Sequence, residues 1–225
     1  MQVNNEIGTV QPVAELAARA HEAGALFLCD AVQGYGKMTA PADADLIAIS
    51  AHKIYGPKGI GALWVRDGVA LAPLIHGGGQ EQGLRSGTLS PALCAGFGAA
   101  AVVAREEMAA DAAHVETLWT AARGVLSRWT VNGCEQARWR GNLNVRRDGL
   151  DVARLMSDLR GLAFFGRIGL RERVGTDQSC AQGAGTGRKK QAKSSIRLGF
   201  GRYSTLREIE DACAMIDEAA AAQGV

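Results

Sequence analysis

The stretch Ser50-Ala51-His52-Lys53-Ile54-Tyr55-Gly56-Pro57-Lys58-Gly59-Ile60-Gly61 places a lysine just past an apolar run and ahead of a glycine-rich turn. A lysine in a pocket that lowers its pKa becomes a nucleophile able to form a Schiff base with a carbonyl compound. Asp30, followed by Ala31-Val32-Gln33, closes another apolar run. A carboxylate so placed suits a pyridinium nitrogen that must stay protonated while its ring acts as an electron sink. The segment from His76 to Thr88 joins flexible glycines to Arg85 and the hydroxyls of Ser86 and Thr88, groups that can meet a phosphate, partly through backbone N–H donors. Taken singly, each has a plain reading: a solvated lysine, a helix-capping aspartate, an ordinary glycine loop. Their occurrence in one chain turns attention to the elements that must hold them.

The first half alternates short apolar runs with helical patterns, the signature of βα units and a mostly parallel sheet. Pro12 suits a first helical position, Val13 to Ala23 follows a helical pattern, and Gly24 stops it. Residues 25–29 then read as a buried strand ending at Asp30, 46–49 as a strand ending at Ser50, and 61–65 as a third. Asp30 and Ser50 therefore fall at carboxyl ends of strands, where open α/β sheets gather their ligands. From about Pro91 an Ala-rich helical stretch runs to about Arg128. Beyond it, 141–145 and 195–200 read as strands, and 152–159 and 205–221 as helices. The last opens with Thr205 and Glu208 in capping-box spacing.

The 225 residues are 47% hydrophobic and 21% charged, a globular composition, and the net charge of +2 argues against a nucleic-acid or anionic-membrane partner. No run approaches the roughly 20 apolar residues of a membrane helix, and Met1 is not followed by a leader-like segment; a cytoplasmic protein is expected. Cys29, Cys94, Cys134, Cys180 and Cys213 form no CxxC pair, which fits reduced thiols. All but Cys180 lie in apolar or helical settings that predict buried small hydrophobes.

Five ordered motifs, 3–8 (Val-Asn-Asn-Glu-Ile-Gly), Asp30-Ala31-Val32-Gln33, Ser50-Ala51-His52-Lys53, the His76 to Thr88 loop, and Ser194-Ser195-Ile196-Arg197-Leu198-Gly199-Phe200-Gly201-Arg202, resemble those of the cysteine desulfurases, class V members of the fold-type I pyridoxal 5'-phosphate enzymes. The resemblance implies an α/β PLP-dependent transferase fold. Residues 1–91 would form part of the large, cofactor-binding domain with a mainly parallel sheet, and 92–225 a linking helix with a small α+β domain. It implies that Lys53 carries the cofactor as a Schiff base, that Asp30 pairs with the pyridine nitrogen and Gln33 with the ring hydroxyl, and that Ser50 and His52 hold the phosphate. Thr88 would reach the phosphate of the other subunit in a homodimer, and Asn5 with Arg197 would bind the carboxylate of L-cysteine. The implied reaction leaves alanine and a persulfide on an enzyme cysteine, which passes sulfur to an acceptor protein, such as an iron–sulfur scaffold, or to tRNA thiolation. A selenocysteine lyase or another class V enzyme would share the cofactor motifs.

Two departures from the family pattern bear on activity. The chain begins at a motif inside the family's large domain, so the family's first phosphate loop and its ring-stacking histidine are not expected in it, and an inactive remnant is the reading from another class. The family also carries its sulfur-accepting cysteine in a Ser-Ala-Gly-Ser-Ala-Cys type loop shortly after a segment like Gly161-Leu162-Ala163-Phe164, whereas 165–190 shows little apolar periodicity. Codons chosen for this segment and read one base along can spell Ser-Ala-Gly-Ser-Ala-Cys and a fitting helix after it. Two readings therefore stand open: Cys180 is the nucleophile, or the nucleophile's codon spans those of Leu170 and Arg171 in a shifted frame.

Overall fold

The computed structural model describes residues 1–166 and 193–225. These form two compact units: Met1–Gln2 with Pro12–Met108, and Val3–Gln11 with Ala109–Val225.

In the first unit, helix α1 spans Val13–Glu22 and buries Val13 and Ala17, one turn apart on one face. Pro12 takes the N-cap position rather than the first helical one, where its missing N–H costs no helical hydrogen bond. Gly24 adopts φ +71° and ends the helix, its N–H donating to His21 O while Ala25 N–H reaches Ala20 O. Strands β1 (Leu28–Asp30), β2 (Leu46–Ser50) and β3 (Gly61–Val65) form a sheet in that order. β1 and β2 are parallel, with Leu28 opposite Leu46 and Asp30 opposite Ala48. β3 runs antiparallel to β2, Ser50 opposite Gly61. The sheet is thus mixed rather than mainly parallel among the described strands, because the connection 51–60 is too short for a crossover of about a dozen residues or more.

Asp45 ties this unit together. Its Oδ2 accepts from the Phe27 N–H and meets His21 Nε2, both at 2.8 Å, and its Oδ1 lies 3.2 Å from Arg66 Nε. The Phe27 N–H first, then His21, hold this carboxyl below the usual carboxylate range. One apolar cluster here gathers Val13, Cys29 and Ala44, flanked by Phe27 and Ile47, and Leu46, Ala51, Ile54 and Ala104 are also buried in this unit. Leu26, Leu28, Leu63 and Trp64 are exposed.

Helix α2 spans Pro91–Val125, with Pro91 to Met108 in the first unit and the rest in the second. The second unit continues with β4 (Thr130–Val131), β5 (Asn142–Arg146), α3 (Val152–Asp158), β6 (Phe165–Gly166), β7 (Ser195–Gly199) and α4 (Leu206–Ala221). Its sheet, ordered β4-β5-β7-β6, is antiparallel throughout. Leu118, Leu126, Trp129, Leu143, Leu155, Ile196 and Ile216 sit in a continuous core far larger than that of the first unit. Asp217 binds the edge of this core: it accepts from Trp129 Nε1 at 2.8 Å, Arg147 Nη1 at 2.7 Å and Arg128 Nη2 at 3.2 Å. α4 carries the expected capping box, Thr205 Oγ1 accepting from the Glu208 N–H and Glu208 from the Thr205 N–H.

Of the four cysteines expected inside, Cys29 and Cys213 are buried, and burial pushes the Cys213 thiol up to about 12. Cys94 lies on an exposed part of α2 and Cys134 is partly exposed in a turn, so helical or apolar neighbours in sequence did not put them in the core. Cys180 and the shifted-frame reading fall outside the described residues.

Candidate active site

Parallel pairing of β1 with β2 brings the carboxyl ends of both strands to the same edge of the sheet. Asp30 is the last residue of β1 and Ser50 the last of β2, and a single 3-10 turn, Ala51–Lys53, follows Ser50 directly. The sheet therefore places the Asp30 carboxylate, the Ser50 hydroxyl, the His52 imidazole and the Lys53 amine at one end. Asp30 Oδ1 accepts from the Val32 N–H at 3.0 Å, which shapes the turn carrying Gln33. Ser50 Oγ and His52 Nδ1 share a hydrogen bond of 2.7 Å, so the two groups expected on a phosphate already face one another.

The chain leaves Lys53 by a tight reversal. Ile54 and Gly56 both donate to Ala51 O at 3.0 Å, and Tyr55 takes φ +66°, a left-handed conformation that a bulky residue adopts only at a cost of about 1–2 kcal/mol. Ile54 is buried beneath the turn, and Lys53 is half-buried. The turn after Asp30 packs on the same side chain: a Cβ on Gly36 (φ +67°) would lie 2.9 Å from Ile54 Cγ2 and 2.8 Å from Ala104 Cβ, so only glycine fits. Lys37 follows. Burial first, then the charge of Lys53, push the Lys37 ammonium down to about 8. Reading the residues had not singled out Lys37; a second amine one turn beyond the Asp30 motif was the available signal.

The glycine-rich loop after Ile75 is held by its own side chains. Gly79 N–H donates to Ser86 Oγ at 3.2 Å, Gly87 N–H to Gln80 Oε1 at 2.9 Å, and Arg85 Nη1 to Gly87 O at 3.1 Å. Ser86 is buried within it, whereas Thr88 stands exposed at its end.

In the second unit the structure brings Asn5 and Arg197 together. Arg197, at the middle of β7, donates through Nη1 to Asn5 O at 3.0 Å and to Glu6 Oε1 at 2.7 Å, and its guanidinium lies 4.2 Å from the centre of the Phe165 ring. Asn142 Nδ2 donates to Asn5 O at 2.8 Å and Asn144 Nδ2 to Glu6 O at 2.9 Å, so β5 fixes the same turn. Glu6 and Phe165 were not foreseen as neighbours of Arg197. These bonds run through one nitrogen, and a guanidinium offers five N–H donors in a planar fork suited to a carboxylate. No cluster of His, Cys, Asp or Glu that could hold a metal ion occurs among the described residues, and no helix among them is long and apolar enough to cross a membrane.

The aminotransferase class-V family matches residues 1–211. The chain is 40% identical to the cysteine desulfurase IscS of Rickettsia bellii over 227 residues, covering 96% of this chain and 55% of that one. It is 42% identical to the mitochondrial cysteine desulfurase of Saccharomyces cerevisiae, covering 93% of this chain and 44% of that one. In fold it resembles the crystal structure of a NifS-like protein from Rickettsia africae, with a TM-score of 0.81 and 27% identity over 97% of this chain and 60% of that one. The chain spans about half the length of the curated relatives it matches. The motifs, the α/β fold and the match along nearly all of its length agree, and this chain belongs to the aminotransferase class-V family.

Proposed function

We propose that this chain carries the cofactor lysine and the substrate-carboxylate arginine of a pyridoxal 5'-phosphate-dependent cysteine desulfurase. The observation that carries the reading is the convergence of Asp30, Ser50, His52 and Lys53 at the carboxyl ends of two parallel strands. The donor set fits the cofactor: an amine for its aldehyde, a carboxylate for its ring nitrogen, and a hydroxyl–imidazole pair for its phosphate. Lys53 would hold the aldehyde, Asp30 the ring nitrogen, Gln33 the ring hydroxyl, and Ser50 with His52 the phosphate, while Thr88 serves the phosphate of a second subunit in a homodimer.

Bound there, the cofactor supplies an electron sink that makes the substrate Cα–H acidic. Arg197 and Asn5 orient the carboxylate of L-cysteine, and Lys53 Nζ takes the Cα proton. A cysteine thiolate of the enzyme then attacks the substrate sulfur, the carbon–sulfur bond breaks, and the products are alanine and an enzyme persulfide ready for a sulfur-acceptor protein. Cys180 is the candidate nucleophile in the sequence as it stands, with the shifted frame over 165–190 as the competing assignment; sequencing the DNA through that segment decides between them.

The test is the absorbance spectrum of the purified chain with added pyridoxal phosphate beside a Lys53→Ala control. A visible band present in the first and lost in the second supports the assignment and justifies assaying alanine and sulfide release from L-cysteine. No band in either sample refutes cofactor binding by this chain alone.

A further inference from the structure

Arg197 and Asn5, the pair proposed for the carboxylate of L-cysteine, already share a carboxylate. Glu6 Oε1 accepts from Arg197 Nη1 at 2.7 Å and from Asn5 Nδ2 at 3.2 Å, so both donors converge on one oxygen of one side chain. All three residues belong to the second unit. Arg197 has little freedom to turn away. It stands between Asn144 of β5 and Phe165 of β6, with its guanidinium 4.2 Å from the centre of the Phe165 ring. Its Nη1 also donates to Asn5 O, which Asn142 Nδ2 holds from the other side. The Glu6 backbone is pinned too, its N–H donating to Asn4 Oδ1 and its carbonyl accepting from Asn144 Nδ2, both at 2.9 Å. The Glu6 side chain is the movable part. It is 34% exposed against 17% for Arg197, and rotation about its own bonds can carry the carboxylate into water while the backbone stays in place.

A carboxylate that takes hydrogen bonds from both Asn5 Nδ2 and Arg197 must sit where both donors reach, which is the place Glu6 Oε1 holds. Two ionised carboxylates cannot share that place, because their like charges repel. We propose that Glu6 is a built-in occupant of the substrate-carboxylate subsite, which a ligand displaces only with a carboxylate of its own. The inference rests on the proposed reading of Asn5 and Arg197. Glu6 then acts as a filter. A ligand bearing a carboxylate exchanges one ion pair for another, whereas a neutral analogue leaves Glu6 on Arg197 and gains nothing there. The pair is partly exposed, so it is weak enough for a substrate to open. While it is closed it raises the apparent dissociation constant by the inverse of the open fraction.

The experiment titrates the isotope-labelled full chain, without cofactor, with propionate and with propionamide as the neutral control, following the amide resonances of Asn5, Glu6 and Arg197. Glu6→Gln keeps the shape of the side chain and removes its charge. It should bind propionate roughly threefold to fivefold more tightly than the parent, the size of a partly exposed ion pair, with propionamide unaffected. Glu6→Ala, which removes the contact altogether, should gain at least as much. Arg197→Gln in the Glu6→Gln background should abolish the gain; if that double variant does not fold, the two Glu6 variants decide alone. Equal or weaker propionate affinity in the Glu6 variants, the same gain for propionamide, a gain that survives the loss of Arg197, or no propionate binding by any of the proteins overturns the proposal. Such a result beside an intact visible band with pyridoxal phosphate sinks this inference alone, whereas a missing band sinks the cofactor reading whatever Glu6 does.

Discussion

Lys37 gives the most exacting check on the physical picture of the candidate site. Its ammonium sits largely desolvated near Lys53, which moves it from 10.5 to about 8. Both states carry the proton at pH 7, so the folded state bears nearly the full penalty, about 3 kcal/mol at 1.36 kcal/mol for each pH unit. The unfolded chain binds the proton more tightly, so stability is highest above pH 10.5, falls as pH drops from there towards 8, and is flat below. The charge of Lys37 therefore weighs on the first unit most under neutral conditions. Lys37→Met keeps the length of the side chain and removes the charge. Because Lys37→Met removes this titration, the parent protein should gain about 2–3 kcal/mol more stability between pH 7 and pH 10 than the variant does, and that difference is the signal. Urea titrations of both proteins at the two pH values, followed by circular dichroism, measure it. A shift of the same size at both pH values refutes the argument that burial and Lys53 lower the Lys37 ammonium.

The hub at Asp217 should fail differently. Asp217→Ala strands the Trp129 indole and Arg147 together, at a cost of about 2–4 kcal/mol read from the urea midpoint of tryptophan fluorescence. Burial alone would raise the Asp217 carboxyl, but Trp129, Arg128 and Arg147 outweigh it and hold it low. Its stabilisation is therefore present above the ordinary carboxylate value and lost as pH falls through the folded one, a loss the Asp217→Ala protein should not show in an acid titration. Thr205→Ala removes one arm of the capping box on α4 and should cost about 1 kcal/mol in thermal unfolding. Under the proposed function, Arg197→Lys should keep the cofactor band and raise the KM for cysteine by about tenfold, since an ammonium replaces the planar fork; an unchanged KM excludes Arg197 from the substrate carboxylate.

Much of the fold was legible where local chemistry decides it. β3 has the bounds that its apolar run implied, Gly24 stops α1 through its left-handed backbone, and Thr205 with Glu208 caps α4. Strands β4 and β6, two residues each, are too short to leave an alternating pattern, and tertiary pairing alone makes them strands. Asp30, Ser50, His52 and Lys53 were readable because each follows an apolar run closely, so strand direction suffices to collect them. The links that escaped are those made across the chain. Glu6 meets Arg197 from the other end of the sequence, and Lys37 owes its displacement to burial under neighbours that no local pattern names. Cys134 looked like a packing residue, yet it stands partly exposed and accepts from the Ala137 N–H.

The inequality of the two cores has a further consequence for supply. The first unit buries mostly small apolar side chains, Ala44, Ala51 and Ala104 with Val13, Leu46 and Ile54, and so has less apolar surface with which to resist opening than the unit around Leu118, Trp129 and Ile216. A ligand that binds only the closed form of the weaker unit stabilises it by mass action, by about 2.7 kcal/mol at a hundred times its dissociation constant. With the proposed cofactor at the strand ends of that unit, vitamin status would set how much of this protein survives proteolysis, and not only how much of it works.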